Sequence, residues 1–148
     1  MEEHKENSDF QYAGFWLRVV AAIIDSILII VIVIPVLLVI YGKGYFSSGK
    51  FIAGPADFLL NWLFPAIAII VFWYYKSATP GKLAVSAKIV DARTGEKSGT
   101  KQLIIRYLGY YISSIPLFLG IIWVAFDSRK QGWHDKIAKT VVVRSKKP

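Results

Sequence analysis

The chain has 148 residues, of which 55% are hydrophobic, and its formal net charge is +8. Because the apolar residues are gathered in long runs rather than spread as in a soluble core, the composition predicts a small membrane protein. The sequence has no cysteine, which excludes a disulfide framework, a thiolate metal site and a thiol nucleophile. The basic residues cluster beside the apolar runs, where they are explained by anionic headgroups rather than by nucleic acid.

The first apolar run covers residues 15–41 and follows a polar, acidic tail, residues 1–11, that we predict to be flexible. From Val19 to Ile40 the run contains a single ionisable side chain, Asp25. It is long enough to cross a bilayer core of about 30 Å as a helix. We therefore predict a transmembrane helix at the start of a single membrane domain, residues 12–148.

Two charges mark the face of this helix. Arg18 precedes Asp25 by two turns, so both side chains leave the same face, roughly 10 Å apart along the axis. A carboxylate within an apolar span costs about 3 kcal/mol, so Asp25 needs a partner or a function. It is a candidate ion- or proton-binding residue, or a structural partner of Arg106, Asn61 or another subunit. Arg18 and Arg106 are the candidate gating or counter-charge residues, and the alternative for Arg18 is an interfacial anchor.

The second apolar run, residues 57–75, follows a Gly- and Ser-containing loop at 42–56 and is just long enough to return across the membrane. Pro65 leaves the backbone carbonyl of Asn61 without its helical donor, next to the amide of the same residue. This pair of polar groups is a second place where a cation could be coordinated, the alternative being a simple kink.

Two segments have the character of strands. Residues 83–91 alternate apolar and polar side chains, and residues 140–145 are rich in Val and Thr. A lone strand is unstable, so we predict that the two pair as a small cytoplasmic β-ribbon.

The third apolar stretch, residues 101–126, has Lys and Arg on both flanks, so the positive-inside rule assigns both flanks to the cytoplasm. A straight crossing would separate them. Arg106 and Pro116 interrupt the stretch, and we predict a broken or re-entrant helical segment rather than a third full span. The expected fold is thus an all-α membrane protein with two transmembrane helices, this third segment and the two-stranded ribbon. Both termini are expected in the cytoplasm.

Several of these features together resemble the RDD family of small membrane proteins. They are Arg18 and Asp25, the sequence SATPGK at 77–82, Arg106, and the segment RKQGWHDKIAKTVVV at 129–143. The resemblance implies that Arg18 and Asp25 are the first two residues of the motif of one arginine and two aspartates. The second aspartate is then Asp135, next to His134, with Asp127 as the competing candidate. A transport role, with cation and proton exchange in some members, is what the resemblance implies about function.

The remaining chemistry is sparse. His134 and Asp135 could form a proton relay or a metal pair, but the only other histidine is His4, so a metal site lacks ligands. Asp135 is better explained as capping the turn 135–138 or as binding a basic neighbour. No nucleophile, base and orienter constellation and no cofactor motif is present, so we expect neither an enzyme nor a cofactor.

We therefore predict a multi-pass plasma-membrane protein that exchanges a monovalent cation and a proton at Asp25. Two or three spans cannot enclose a pathway, so this requires a homo-oligomer or a larger membrane partner. The alternative is a non-transporting adaptor, or assembly partner, of a larger membrane protein.

Overall fold

Two long helices dominate the computed structural model, which describes residues 10–145. Helix α1 is Phe15–Tyr41 and helix α2 is Pro55–Lys76, and both are long and apolar enough to cross a membrane. Only 11% of the residues in the apolar stretch of each helix are buried within the protein. Their side chains therefore face outwards, as expected of helices surrounded by lipid. The two candidate spans predicted from hydropathy are confirmed.

Helix α2 is not uniform along its length. It is α-helical at Pro55–Phe58, widens into one π-helical turn at Leu59–Leu63, and is α-helical again at Phe64–Lys76. Pro65 lies just after the wide turn, which accommodates the proline's missing N–H. In α1, by contrast, Pro35 lies inside a continuous helix.

The residues after α2 correct the prediction of a strand at 83–91. Pro80–Ala84 is a short helix, α3, and the strand β2 is confined to Ala87–Asp91. Thr79 caps α3, with its hydroxyl oxygen 3.4 Å from the Lys82 N–H, and proline is favoured at the first helical position. These start signals override the apolar alternation, so the first half of the predicted strand was wrong.

The sheet has three strands rather than the two of the predicted ribbon. Strand β1 is Phe10–Tyr12 and strand β3 is Thr140–Ser145, and the order β1-β3-β2 is antiparallel throughout. The predicted partners do pair, with Ile89 opposite Val142. Phe10 and Gln11, which were assigned to the flexible tail, lie in β1, while residues 1–9 of that tail lie outside the described residues.

The third apolar stretch is broken. Helix α4, Thr100–Ser114, is followed by Leu119–Ala125, whose first part is helix α5 at Leu119–Ile122, and the two directions differ by 112°. Leu117 and Phe118 make the reversal, with φ of 54° and 60°. Helix α6, Trp133–Ala138, then leads into β3. Because β3 pairs with β2, the two flanks of the stretch lie side by side.

A small apolar core fixes which parts meet. It contains residues from the link between β1 and α1, the end of α2, strands β2 and β3, and α4: Ala13, Trp73, Ala87, Ile89, Leu103 and Val142. The start of α1, the end of α2 and the sheet therefore occupy one end of the molecule, which we call the cap end. The loop between α1 and α2 occupies the opposite end.

Candidate functional site

Asp135 is the centre of the cap end. It lies in the first turn of α6, where its carboxylate accepts a 2.9 Å hydrogen bond from the Gly132 N–H and caps the helix. Its other partners are two guanidinium groups: Arg18 Nη1 lies 2.6 Å from Oδ2, and Arg106 donates to Oδ1. Asp135 is 0% exposed. The carboxylate thus joins three helices, and its two arginine partners hold its pKa well below the usual range, although burial alone would raise it.

Each side-chain nitrogen of Arg18 donates a hydrogen bond within the protein. Besides Asp135, it donates 2.5 Å and 3.2 Å hydrogen bonds to the backbone carbonyls of Lys130 and Ala13. Arg18 thus connects α1 to the cap, and Asp25 is not among its hydrogen-bond or ion-pair partners.

Arg106 is fully buried in α4. It donates to Thr140 Oγ1 at 2.8 Å as well as to Asp135, and its guanidinium lies 5.4 Å from the centre of the Trp73 ring. Its predicted partner Asp25 is not among these contacts.

Asp25 is bound by α3. Its carboxylate accepts hydrogen bonds from the Thr79 hydroxyl at 2.5 Å and from the Gly81 N–H at 2.7 Å. A Cβ atom at Gly81 would lie 1.9 Å from the carbonyl oxygen of Ala21, so only glycine permits this approach of α3 to α1. The partners of Asp25 are therefore two neutral donors, and neither Arg106 nor Asn61 is one of them.

Asn61 lies at the other end of the molecule. It donates to Asp57 and, at 3.0 Å, to the Tyr45 hydroxyl. Asp57 also accepts from the Tyr45 hydroxyl at 2.6 Å and from the Ala53 N–H at 2.7 Å. The two candidate cation-binding residues of the sequence, Asp25 and Asn61, thus belong to separate sites.

The two remaining motif candidates differ sharply in environment. Asp127 orders a surface turn through the N–H groups of Arg129 and Gln131, both at 3.1 Å, and forms an ion pair with Lys136 at 2.7 Å. These contacts lower its pKa. Among the two aspartates, only Asp135 contacts Arg18.

His134 is buried between α4 and α6. Its ring stacks on Tyr110 with centroids 3.9 Å apart, and its Nδ1 lies 3.5 Å from Ser113 Oγ. Burial lowers its pKa to about 3, against the opposing effect of Asp135. The imidazole is therefore neutral at physiological pH. Within residues 10–145, no group of three or more His, Cys, Asp or Glu side chains is placed to hold a metal ion.

A cavity of about 440 Å³ lies between the two spans and the cap. Its apolar walls come from α1, α2 and the segment Leu119–Ala125. Polar and charged groups line the rest: Arg18, Asp25, Ser26, Thr79, Lys82, Tyr107, Tyr110, Tyr111, Ser114 and His134. Arg18 and Asp25, two turns apart on α1, thus share one cavity although they do not pair.

Lys82 is the residue that sequence reasoning missed. Its side chain lines the cavity and the residue is only 8% exposed. Burial lowers the pKa of its ammonium. The signal that could have indicated this burial is the helix start at Thr79 and Pro80, which places Lys82 in α3 rather than in a strand.

The chain is similar to proteins of one known family. A model of the RDD family matches residues 12–139. The chain belongs to the RDD family. It is 44% identical to an uncharacterised protein of Rickettsia prowazekii over 60% of this chain and 49% of that protein. It is 32% identical to the uncharacterised protein YxaI of Bacillus subtilis, over 88% and 96% of the two chains.

Two further relatives of this RDD protein differ in length. The uncharacterised membrane protein YteJ of Bacillus subtilis is 31% identical over 91% of this chain and 82% of its own. A proline-rich antigen homolog of Mycobacterium tuberculosis is 32% identical, but the match covers only 38% of that protein. The chain thus spans half or less of some relatives and nearly all of others. No solved structure gives a significant match.

Proposed function

We propose that this RDD protein is a transport-related, non-enzymatic membrane protein that binds its cargo in the cavity between α1, α2 and the cap. The observation that supports this proposal is the cavity, which combines apolar walls from two candidate spans with the charged side chains of Arg18, Asp25 and Lys82. Charged groups at membrane depth mark substrate or ion pathways more often than structural positions.

The proposed topology is multi-pass in the plasma membrane with the cap end in the cytoplasm. The start of α1, the end of α2 and both flanks of the broken stretch meet in one sheet and core, which favours a single side for all of them. Basic residues of that end then lie inside, beside anionic headgroups, as the positive-inside rule requires. The pair α4 and α5 enters and returns as a re-entrant element.

The specific mechanism that we propose is exchange of a monovalent cation and a proton at Asp25. It is supported by the position of Asp25 on the cavity wall, with the Ser26 hydroxyl beside it in sequence. Thr79 and Gly81 each donate to one of its oxygens, leaving lone pairs for a proton or a cation. Since two spans cannot enclose a pathway, a homo-oligomer or a larger partner completes it.

Vesicles reconstituted with the full chain and loaded with a pH indicator test this mechanism. An imposed sodium or potassium gradient should drive proton movement with the wild type and not with Asp25→Asn. Asp127→Asn, at the surface turn, is the matched control and should retain the flux. Equal flux in Asp25→Asn and wild type, or no flux above empty vesicles, would refute exchange at Asp25.

A non-transporting adaptor is the second candidate. It is favoured by the mycobacterial relative, in which the matched region is a minor part of a longer chain. An adaptor predicts no flux from the purified protein, together with co-purification of a stoichiometric membrane partner that Asp25→Asn releases.

A further inference from the structure

Lys82 is a buried cation without a partner. Its backbone N–H reaches Thr79, but among the described residues no hydrogen bond or ion pair involves its ammonium group. Asp25, on the same cavity wall, is occupied by Thr79 and Gly81 and lies in no ion pair with Lys82. A buried ammonium left unpaired is costly, so the site is incomplete as it stands.

The surrounding carboxylates do not compensate the positive charge of Lys82. Arg18, Lys82 and Arg106 face only two carboxylates, Asp25 and Asp135, and Asp135 is shared by the two arginines. Burial lowers the pKa of Lys82, and the positive charges of Arg106 and Arg18 lower it further, while Tyr110 and Asp25 act in the opposite direction. By count of arginine, lysine and aspartate charges the cluster has one positive charge in excess, which attracts an anion to Lys82.

The apolar side chains of the cavity wall indicate what the uncharged part of the ligand is. Ile29 lies one turn beyond Asp25 on α1, on the side opposite to Arg18. It lines the cavity together with Ile69, Ile121 and Val124. The cavity volume of about 440 Å³ is within the range of small-molecule sites. The cavity lies between helices that face lipid. A ligand that fills it has an anionic group at one end and an apolar body at the other.

We propose that the cavity binds an anionic amphiphile, with its phosphate or carboxylate group against Lys82 in the field of Arg18 and its apolar tail between α1, α2 and α5. This rests on the proposed function only in using the same cavity, and it names an anionic lipid that resides there. The bound anion supplies the missing counter-charge of Lys82.

Binding of phosphatidylglycerol to the purified full-length protein in neutral detergent, followed by native mass spectrometry, tests the proposal. Wild type should bind phosphatidylglycerol at least tenfold more tightly than phosphatidylcholine. Lys82→Gln should lose that tenfold preference and Lys82→Arg should keep it. Lys101→Gln, an exposed lysine of α4, is the matched control and should bind as wild type does.

A second variant keeps the test decisive if Lys82→Gln does not fold. Ala22→Phe places a larger apolar side chain at the cavity wall and should weaken phosphatidylglycerol binding while Lys82 remains. Inorganic phosphate at equal concentration should not displace the lipid; displacement would overturn the role of the tail and assign the site to free phosphate. Equal affinity for both lipids, or an unchanged preference in Lys82→Gln, would overturn the anion site. Ion flux is a separate measurement, so failure here leaves the exchange mechanism standing, and failure of exchange leaves this site standing.

Discussion

The two ends of the molecule each bury a carboxylate, but they hold it by different means. Asp135 at the cap end is held by Arg18 and Arg106, which are 117 and 29 residues away in sequence. The carboxylate of Asp57 at the loop end is held by neutral donors no more than 12 residues away, which belong to Tyr45, Ala53 and Asn61. One end is therefore a charged joint that requires the whole fold, and the other is a locally formed polar turn.

The largest expected effect is that of Asp135→Asn. It leaves two arginines, one of them fully buried, without their counter-charge, which costs about 3–5 kcal/mol. Thermal unfolding of the detergent-purified protein should show the loss, or the variant should fail to accumulate. Asp127→Asn, which removes only a surface ion pair, is the control and should remain close to wild type. Similar stability of the two variants would remove the distinction between joint and surface turn.

Gly81→Ala should have the next largest effect. The added methyl group would overlap the Ala21 carbonyl, so α3 must move away from α1, at a cost of about 1–3 kcal/mol. The movement also frees the carboxylate of Asp25. Gly44→Ala at the loop end meets no atom within 4 Å and is the matched control, with an unchanged unfolding temperature. An unfolding temperature of Gly81→Ala equal to that of wild type would contradict the close approach.

Acid should weaken the cap end before it weakens the loop end. Because the pKa of His134 is about 3 when folded and 6.5 when unfolded, only the unfolded state gains a proton as the pH falls below 6.5. Stability is complete above pH 6.5 and falls by about 2 kcal/mol between pH 7.5 and 5. Unfolding measured across that range should show the slope in wild type, and His134→Gln should flatten it. A slope that persists in the variant would assign the effect to another group.

Asp57→Asn should have the smallest effect. The Asn side chain is neutral, as are the donors around it, so no charge is left uncompensated. Its unfolding temperature should fall by less than half the decrease found for Asp135→Asn under the same conditions. A larger decrease would mean that the loop end contributes as much to global stability as the charged joint does.

The sequence was most informative where the signal is local. Hydropathy located both spans, because every lipid-facing residue of a helix must be apolar. Basic flanks and Pro116 indicated a broken third stretch, and the Val-rich residues 140–145 indicated a strand that pairs with residues 87–91. Each of these features follows from a few neighbouring residues.

The site could be predicted only in part. Arg18, Asp25, Arg106, His134 and Asp135 were identified as candidates, and all five lie at or beside the cavity or its cap. Their pairing was missed, because charge alone does not show which arginine meets which carboxylate across the fold. The burial of Lys82 was missed because apolar alternation was given more weight than the Thr79-Pro80 helix start.

The position of β3 in the sheet determines when the cap can be completed during synthesis. This strand lies between β1 and β2, which do not touch each other, and it is synthesised after both of them and after α6. During synthesis α1 and α2 therefore enter the membrane while β1 and β2 have no strand partner and Arg18 has no Asp135. The cap can therefore be completed only after β3 has been synthesised, because this strand joins β1 to β2.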